Sequence, residues 1–254
     1  MTTDRTDQRR AAIEINSFGQ PVGPALPGWQ PARRPPATAM EGRLVRIEPL
    51  DAARHGDHLF AAYALDADGR NWTYMPVGPF TERAAFDAWL AGAEASADPM
   101  FHAVVERSSG EAVGVASYLR IEPAPGVIEV GYISFSPRLQ RSPAATEAMA
   151  LMMARVFDEL GYRRYEWKCD ALNEPSRRAA VRLGFTFEGI FRQATVTKGR
   201  NRDTAWFSIL DSEWPVAKAA FAAWLDPSNF DAAGRQVRRL EDVRVGMAGR
   251  NIEP

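Results

Sequence analysis

Apolar and polar residues alternate along Gly42-Arg-Leu-Val-Arg-Ile-Glu-Pro-Leu50, the pattern of a half-buried strand closed by a proline. Asp51 stands where a cap would start a helix through Leu59, Phe60 and Tyr63. Thr81-Glu-Arg-Ala resembles a second cap, before Phe86, Trp89 and Leu90. Residues 101–106 and 112–119 read as a hairpin that turns at 108–111. Residues 128–135 are the next strand. The helix after it repeats apolar side chains at Ala148, Leu151, Met152, Val156 and Leu160 and stops at Gly161. A strand over 164–170 follows, then a short helix from Asn173 to Leu183-Gly-Phe185. Segments 185–188 and 203–210 supply the last strands, joined by a loop containing Lys198-Gly-Arg-Asn-Arg202. Strands beside crossover helices pair in parallel at the centre of a sheet, and hairpins pair antiparallel at its flanks. The pattern predicts a mixed α/β sheet without internal repeats.

The ends differ from this body. Residues 1–12 are polar and expected to be disordered. From 13 to 36 the chain is rich in Gly and Pro, which favours an extended arm without regular structure, and Phe18 and Trp29 suggest that this arm packs on the body. An arm over 1–40, a domain over 41–211 and a helical appendage and tail over 212–254 follow from this division. The appendage is expected to hold one helix and a return segment. Arm and appendage would cover a sheet edge or form a subunit contact, as in a homodimer.

Composition narrows the function. Of the 254 residues 46% are hydrophobic and 25% charged, ordinary for a soluble globular chain. A formal net charge of -1 argues against a dedicated nucleic-acid binder. One cysteine leaves no intramolecular disulfide, and three histidines leave few ligands for a metal. No run approaches the ~18 apolar residues of a membrane span, and the first residues lack the apolar core of a secretory signal. A cytoplasmic location is the expectation.

The richest chemistry lies in Ile128-Glu-Val-Gly-Tyr-Ile-Ser-Phe-Ser-Pro137 and Leu139-Gln-Arg-Ser-Pro-Ala-Ala-Thr-Glu-Ala148. A strand passes through a polar turn into a helix, and the first amides of a helix have no intrahelical partner and sit at the positive end of its dipole. Such a turn can cradle a pyrophosphate without a lysine.

In order along the chain, Glu129-Val-Gly-Tyr132, Ala145-Thr-Glu-Ala148, Asn173-x-x-Ser176 and Leu183-Gly-Phe-x-x-Glu-Gly189 resemble the GNAT acetyltransferases, nearest the branch of the ribosomal-protein N-terminal acetyltransferases. The resemblance covers roughly residues 41–211. It implies a mixed, mostly antiparallel sheet flanked by helices, whose central parallel strands splay apart around acetyl-CoA. The cosubstrate would then touch Ile133, Phe135, Gln140, Arg141, Ser142, Ala144, Ala145, Thr146, Asn173 and Ser176, with no metal involved. Pro143 occupies the family's usual glycine position and supplies no amide; Arg141 could replace some of the lost attraction.

The implied reaction is attack of an amine on a thioester, which needs a neutral amine and a proton for the departing thiolate. By resemblance Glu129 is the candidate base, against a structural ion pair with a neighbouring arginine. Glu166 and Glu188 compete, Glu166 less so because alternation is expected to turn it outward. Ala180 stands where many members carry an acidic tyrosine, and Ser176, which also suits a helix start, matches the serine that serves instead. Cys169 is expected to line the thioester pocket and not to act as a nucleophile. Trp72, Tyr74, Arg200 and Arg202 are candidate acceptor-side residues; His55 and His58 are read as solvated or capping. The acceptor would be a protein α-amino group or a small-molecule amine. A non-catalytic acyl-CoA-binding or sensory module on the same fold is the alternative.

Overall fold

The computed structural model describes residues 13–250, which divide into two compact units after Pro31. Residues 1–12, expected to be disordered, lie outside the described residues. In the first unit β1 (Glu14–Ile15) and β2 (Pro21–Val22) pair antiparallel. The turn between them closes on the Asn16 carboxamide, whose Oδ1 accepts the amides of Phe18 and Gln20, both at 3.0 Å. The arm is therefore partly regular. Within this unit Phe18 is 85% exposed.

The second unit holds one eight-stranded sheet. Its strands are β3 (Met40–Glu41), β4 (Val45–Pro49), β5 (Met100–Glu106), β6 (Ala112–Glu122), β7 (Val127–Phe135), β8 (Arg164–Asp170), β9 (Thr186–Thr197) and β10 (Arg200–Leu210). Spatial order is β3-β4-β5-β6-β7-β8-β10-β9, and every pair is antiparallel except β7 with β8. This is the mixed, mostly antiparallel sheet expected from the sequence.

Helices cover both faces. α1 (Ala52–Ala64) and α2 (Arg83–Glu94) enclose a core of Leu59, Tyr63, Trp72, Phe86 and Leu90. α1 starts as its sequence dictates: Asp51 Oδ1 accepts the Arg54 amide at 2.9 Å, and His55 Nδ1 accepts the Asp51 amide at 3.1 Å. His55 is therefore a buried capping group and not a solvated one.

α3 (Pro143–Ala154), continued by a π-helical turn over Arg155–Glu159, shares the opposite face with α4 (Glu174–Leu183) and α5 (Trp214–Leu225). α6 (Leu240–Arg250) follows, so the appendage has two helices where one was expected. Trp214 fixes α5 by stacking on Phe157, centroids 5.4 Å apart, and by an indole bond to Asp158. Arg244 fixes α6 by donating to the carbonyls of Arg182 (2.7 Å) and Val181 (3.0 Å), at the end of α4 where carbonyls lack helical partners.

β9 and β10 run to Thr197 and from Arg200, so the expected loop is a tight turn at Lys198-Gly199. Gln193, at φ +49°, lies in an irregular stretch of the pairing that masks the alternation of β9 in the sequence.

Glu147 sets the distance between α3 and the first strands. Its carboxylate accepts the amides of Arg43 (3.1 Å), Leu44 (2.6 Å) and Val45 (2.8 Å). A Cβ at Gly42 would stand 2.5 Å from Glu147 Oε2, so a side chain there would displace the carboxylate from this position. Replacing Glu147 by Ala leaves three amides without their charged acceptor. The expected loss is about 2 to 3 kcal/mol in denaturant unfolding, with little change in the m-value.

Candidate active site

Parallel pairing of β7 and β8 runs from Val127 opposite Arg164 to Val130 opposite Trp167 and stops, although β7 continues to Phe135 and β8 to Asp170. Beyond that rung β7 stays with β6 and β8 with β10, so the two strands part. A bulge lies at this point: two residues of β7, Tyr132 and Ile133, stand between the rungs Gly131–Ser117 and Ser134–Val115, where β6 has only Ala116. Tyr132 lies in it at φ +48°. The extra residue reverses the alternation, so Ile128 and Val130 face α3 before the bulge and Ile133 and Phe135 after it. The parted half of β7 is held from the α1 side, where the Tyr63 hydroxyl donates to the Ser134 carbonyl at 3.0 Å.

Glu129 is opposite Glu166 on the parallel rungs, and both face the α1/α2 side. Glu166 is buried there, which overturns the expectation that it points outward; alternation counts from the register with β7, and that register is not written in one strand. Lys168 reaches both acids, with Nζ 2.9 Å from Glu129 Oε2 and 2.8 Å from Glu166 Oε2. Its ammonium lies 3.8 Å from the centroid of the Trp206 ring. Arg120 Nη1 is 2.6 Å from the same Glu129 oxygen. Arg164 links Glu166 (2.7 Å) to Glu188 (2.8 Å), and Ser208 completes the chain on Glu188 at 2.7 Å. Burial pushes the Glu129 carboxyl above the usual carboxylate range, and Lys168 and Arg120 pull it part of the way back. Arg164 holds Glu188 below that range.

The other face carries a different set. Trp167 Nε1 donates to Ser176 Oγ at 3.0 Å, leaving the hydroxyl proton of Ser176 for another acceptor, and the Cys169 thiol lies beside the same hydroxyl. Asn173 caps α4 by accepting the Ser176 amide at 3.1 Å. Ala180 is buried, so the tyrosine position of the family pattern is filled by packing.

At the start of α3, Ser142 Oγ accepts the Ala145 amide at 3.1 Å and donates to the Leu139 carbonyl at 2.6 Å. Pro143 has no amide, so of the four opening positions Ser142 and Ala144 keep an N–H outside the helix ladder. Thr146 stands one position further in. Its hydroxyl accepts from Arg182 Nη1 at 3.1 Å, while Gln140 Nε2 donates to the Phe135 carbonyl at 2.8 Å, pinning the turn to the strand end. Arg141 adopts φ +58°.

On the α1/α2 side the Tyr74 hydroxyl donates to the Leu172 carbonyl at 3.1 Å, and Lys198 Nζ donates to the Trp72 carbonyl at 2.8 Å. The loop between α1 and α2 is thus tied both to the β8–α4 connection and to the β9–β10 turn. The Trp72 ring is buried against Tyr63, Phe80 and Trp89 and supports that loop from within. Arg200 is exposed, and the Nε of Arg202 is buried without a partner. Lys168, Arg120 and Arg182 were not singled out from sequence. Glu166-Trp-Lys168 does place an acid and a base on one strand face, but their partner becomes visible only with the register.

Among the described residues no group of three or more His, Cys, Asp or Glu is placed to hold a metal, and no helix is long and apolar enough to cross a membrane.

Residues 45–186 match the model of the acetyltransferase (GNAT) domain family, and the chain belongs to that family. A crystal structure of a GCN5-related N-acetyltransferase from Brucella melitensis is 54% identical, covers 87% of this chain and all of its own, and superposes with a TM-score of 0.85. An uncharacterized N-acetyltransferase of Bacillus subtilis, YnaD, is 27% identical over 61% of this chain and 88% of its own length. The ribosomal-protein-serine acetyltransferase of Escherichia coli is 30% identical over 41% of this chain and 58% of its own. The protein is an N-acetyltransferase, and the family's reaction takes the acetyl group from acetyl-CoA.

Burial pushes the Cys169 thiol above its ordinary value, which keeps it from being a thiolate near neutrality. Iodoacetamide at pH 8 should label it at least about tenfold more slowly in the native protein than in urea. Equal rates would mean that the thiol is open and ionised.

Proposed function

We propose that acetyl-CoA lies in the fork between β7 and β8, and that the acetyl group passes directly to an amine arriving from the α1/α2 side. The observation carrying this reading is the end of parallel pairing at Val130 and Trp167, with Glu129 on one sheet face and Ser176 on the other. An unpaired strand edge buried in a protein is costly unless something bonds to it, and an extended pantetheine amide chain suits that edge. The free amides of Ser142 and Ala144 suit a pyrophosphate, with Arg141 and Arg182 adding charge to offset Pro143. Gln140, Ala145 and Thr146 shape that cradle through the bonds that hold the turn. Asn173 is read as contacting the pantetheine arm, with Ile133 and Phe135 along the opposite strand.

In the transfer, Glu129 takes a proton from the incoming ammonium, directly or through a water. The neutral nitrogen then forms its bond to the thioester carbon as the carbon–sulfur bond breaks, the Ser176 hydroxyl donates a proton to the departing sulfur, and the surplus proton of the new amide nitrogen returns through water to Ser176 Oγ. A raised carboxyl suits the first role, since a base works best when its affinity for protons is near the working pH. Tyr74, Arg200 and Arg202 border the acceptor, whose amine is a protein α-amino group or a small molecule. Cys169 lines the thioester side.

An acceptor screen with thiol release as readout tests this reading. Glu129→Gln and Ser176→Ala should each lower kcat/KM at least tenfold, roughly 1.4 kcal/mol of barrier, without changing the unfolding midpoint of Ser176→Ala by more than a few degrees. Wild-type rates in both variants would remove both residues from the chemistry.

A further inference from the structure

Lys168 is the first residue of β8 past the last rung shared with β7. Its side chain is 8% exposed, and its ammonium touches an acid on each of the two strands. The Trp206 ring closes it from the β10 side. A buried lysine is flexible and costly to desolvate, so holding one here calls for more than filling space. Both cations that contact Glu129 do so at Oε2 rather than at Oε1.

We propose that Lys168 is a positioning residue for acetyl transfer: at the root of the fork it grips one oxygen of Glu129 and leaves the other directed at the acceptor amine. This rests on the reading of Glu129 as the base. Lys168 acts through Glu129 and does not itself touch the reacting atoms. The charged groups facing Glu129 are Arg120 on β6 and Lys168 and Glu166 on β8, while the Tyr165 phenol lies on the opposite face of β8. Trp206 on β10 faces the lysine. No ion pair to Glu129 comes from any other element among the described residues.

The sign of each perturbation follows. Removing Lys168 takes away an attraction that favours the charged carboxylate, so Glu129 should hold its proton to higher pH. Removing the charge of Glu166 does the reverse, because it deletes a like charge and leaves Lys168 to Glu129 alone.

The experiment is the pH profile of kcat/KM for the wild-type protein, Lys168→Met, Lys168→Arg and Glu166→Gln, with KM for acetyl-CoA measured separately. In Lys168→Met the acid limb should move up by about one pH unit and kcat at pH 7 should fall at least tenfold, with KM for acetyl-CoA within about twofold. Lys168→Arg should restore most of the loss. Glu166→Gln should move the acid limb down. A folded Lys168→Met whose acid limb does not move overturns the proposal. If Lys168→Met does not fold, Glu166→Gln carries the test, and an unmoved limb there overturns it equally. Glu129→Gln separates the two levels: a variant that keeps both its rate and its acid limb sinks the reading of Glu129 as base, whereas a dead one beside an unmoved Lys168→Met profile sinks only the role of the lysine.

Discussion

The parting of β7 from β8 is the constraint around which the rest of the domain is arranged. Backbone groups inside a protein must find partners, and a sheet that opens at its centre exposes two rows of them at once. One extra residue at Tyr132 lies at the opening, and neighbouring elements keep it from closing again. The Tyr63 hydroxyl occupies a carbonyl of the outer half of β7, and the Gln140 carboxamide occupies the last carbonyl of that strand. α3 is anchored below by Glu147, whose carboxylate gathers three amides of the β3–β4 turn. The fork is therefore built in rather than opened by a ligand.

Charge at the root of the fork follows from the same geometry. Parallel register sets Glu129 directly opposite Glu166, two acids that would repel at close range without a cation between them. Lys168 supplies it, and Arg120 and Arg164 extend the alternation of sign to either side. Leaving one member of such a buried set unpaired costs about 3 to 5 kcal/mol, so the network constrains which residues can occupy the strand. The same residues that make the network stable hold a carboxylate in a dry position with raised proton affinity, which is the environment a base for an ammonium needs.

What the sequence reveals is local. The cap at Ser142 with Pro143 in the first turn, the cap at Asn173 and the Gly184 stop depend on neighbours a few residues away, and each is where the residue types place it. The order of strands and helices was legible for the same reason. What depended on register was not: the inward turn of Glu166, the partners of Lys168 and the side of the sheet reached by Ile133 all need the pairing of distant strands. The bulge at Tyr132 has one local sign, Gly131 inside the strand, but a lone glycine does not say which partner the pairing will lose. Edge strand β9 is exposed on most of its length, so its composition reads as loop. The second appendage helix was missed because its apolar and charged residues are interleaved without a clear apolar face.

Hydrogen–deuterium exchange with and without acetyl-CoA tests the central claim most directly, because it reads the unpaired backbone itself. Saturating acetyl-CoA should slow exchange at residues 131–135 of β7 and at the Ser142 and Ala144 amides of α3, while β4 and β5 stay unchanged. Exchange at those β7 and α3 amides that is indifferent to acetyl-CoA, in protein that turns it over, would mean that the cosubstrate binds elsewhere and that the fork has another purpose.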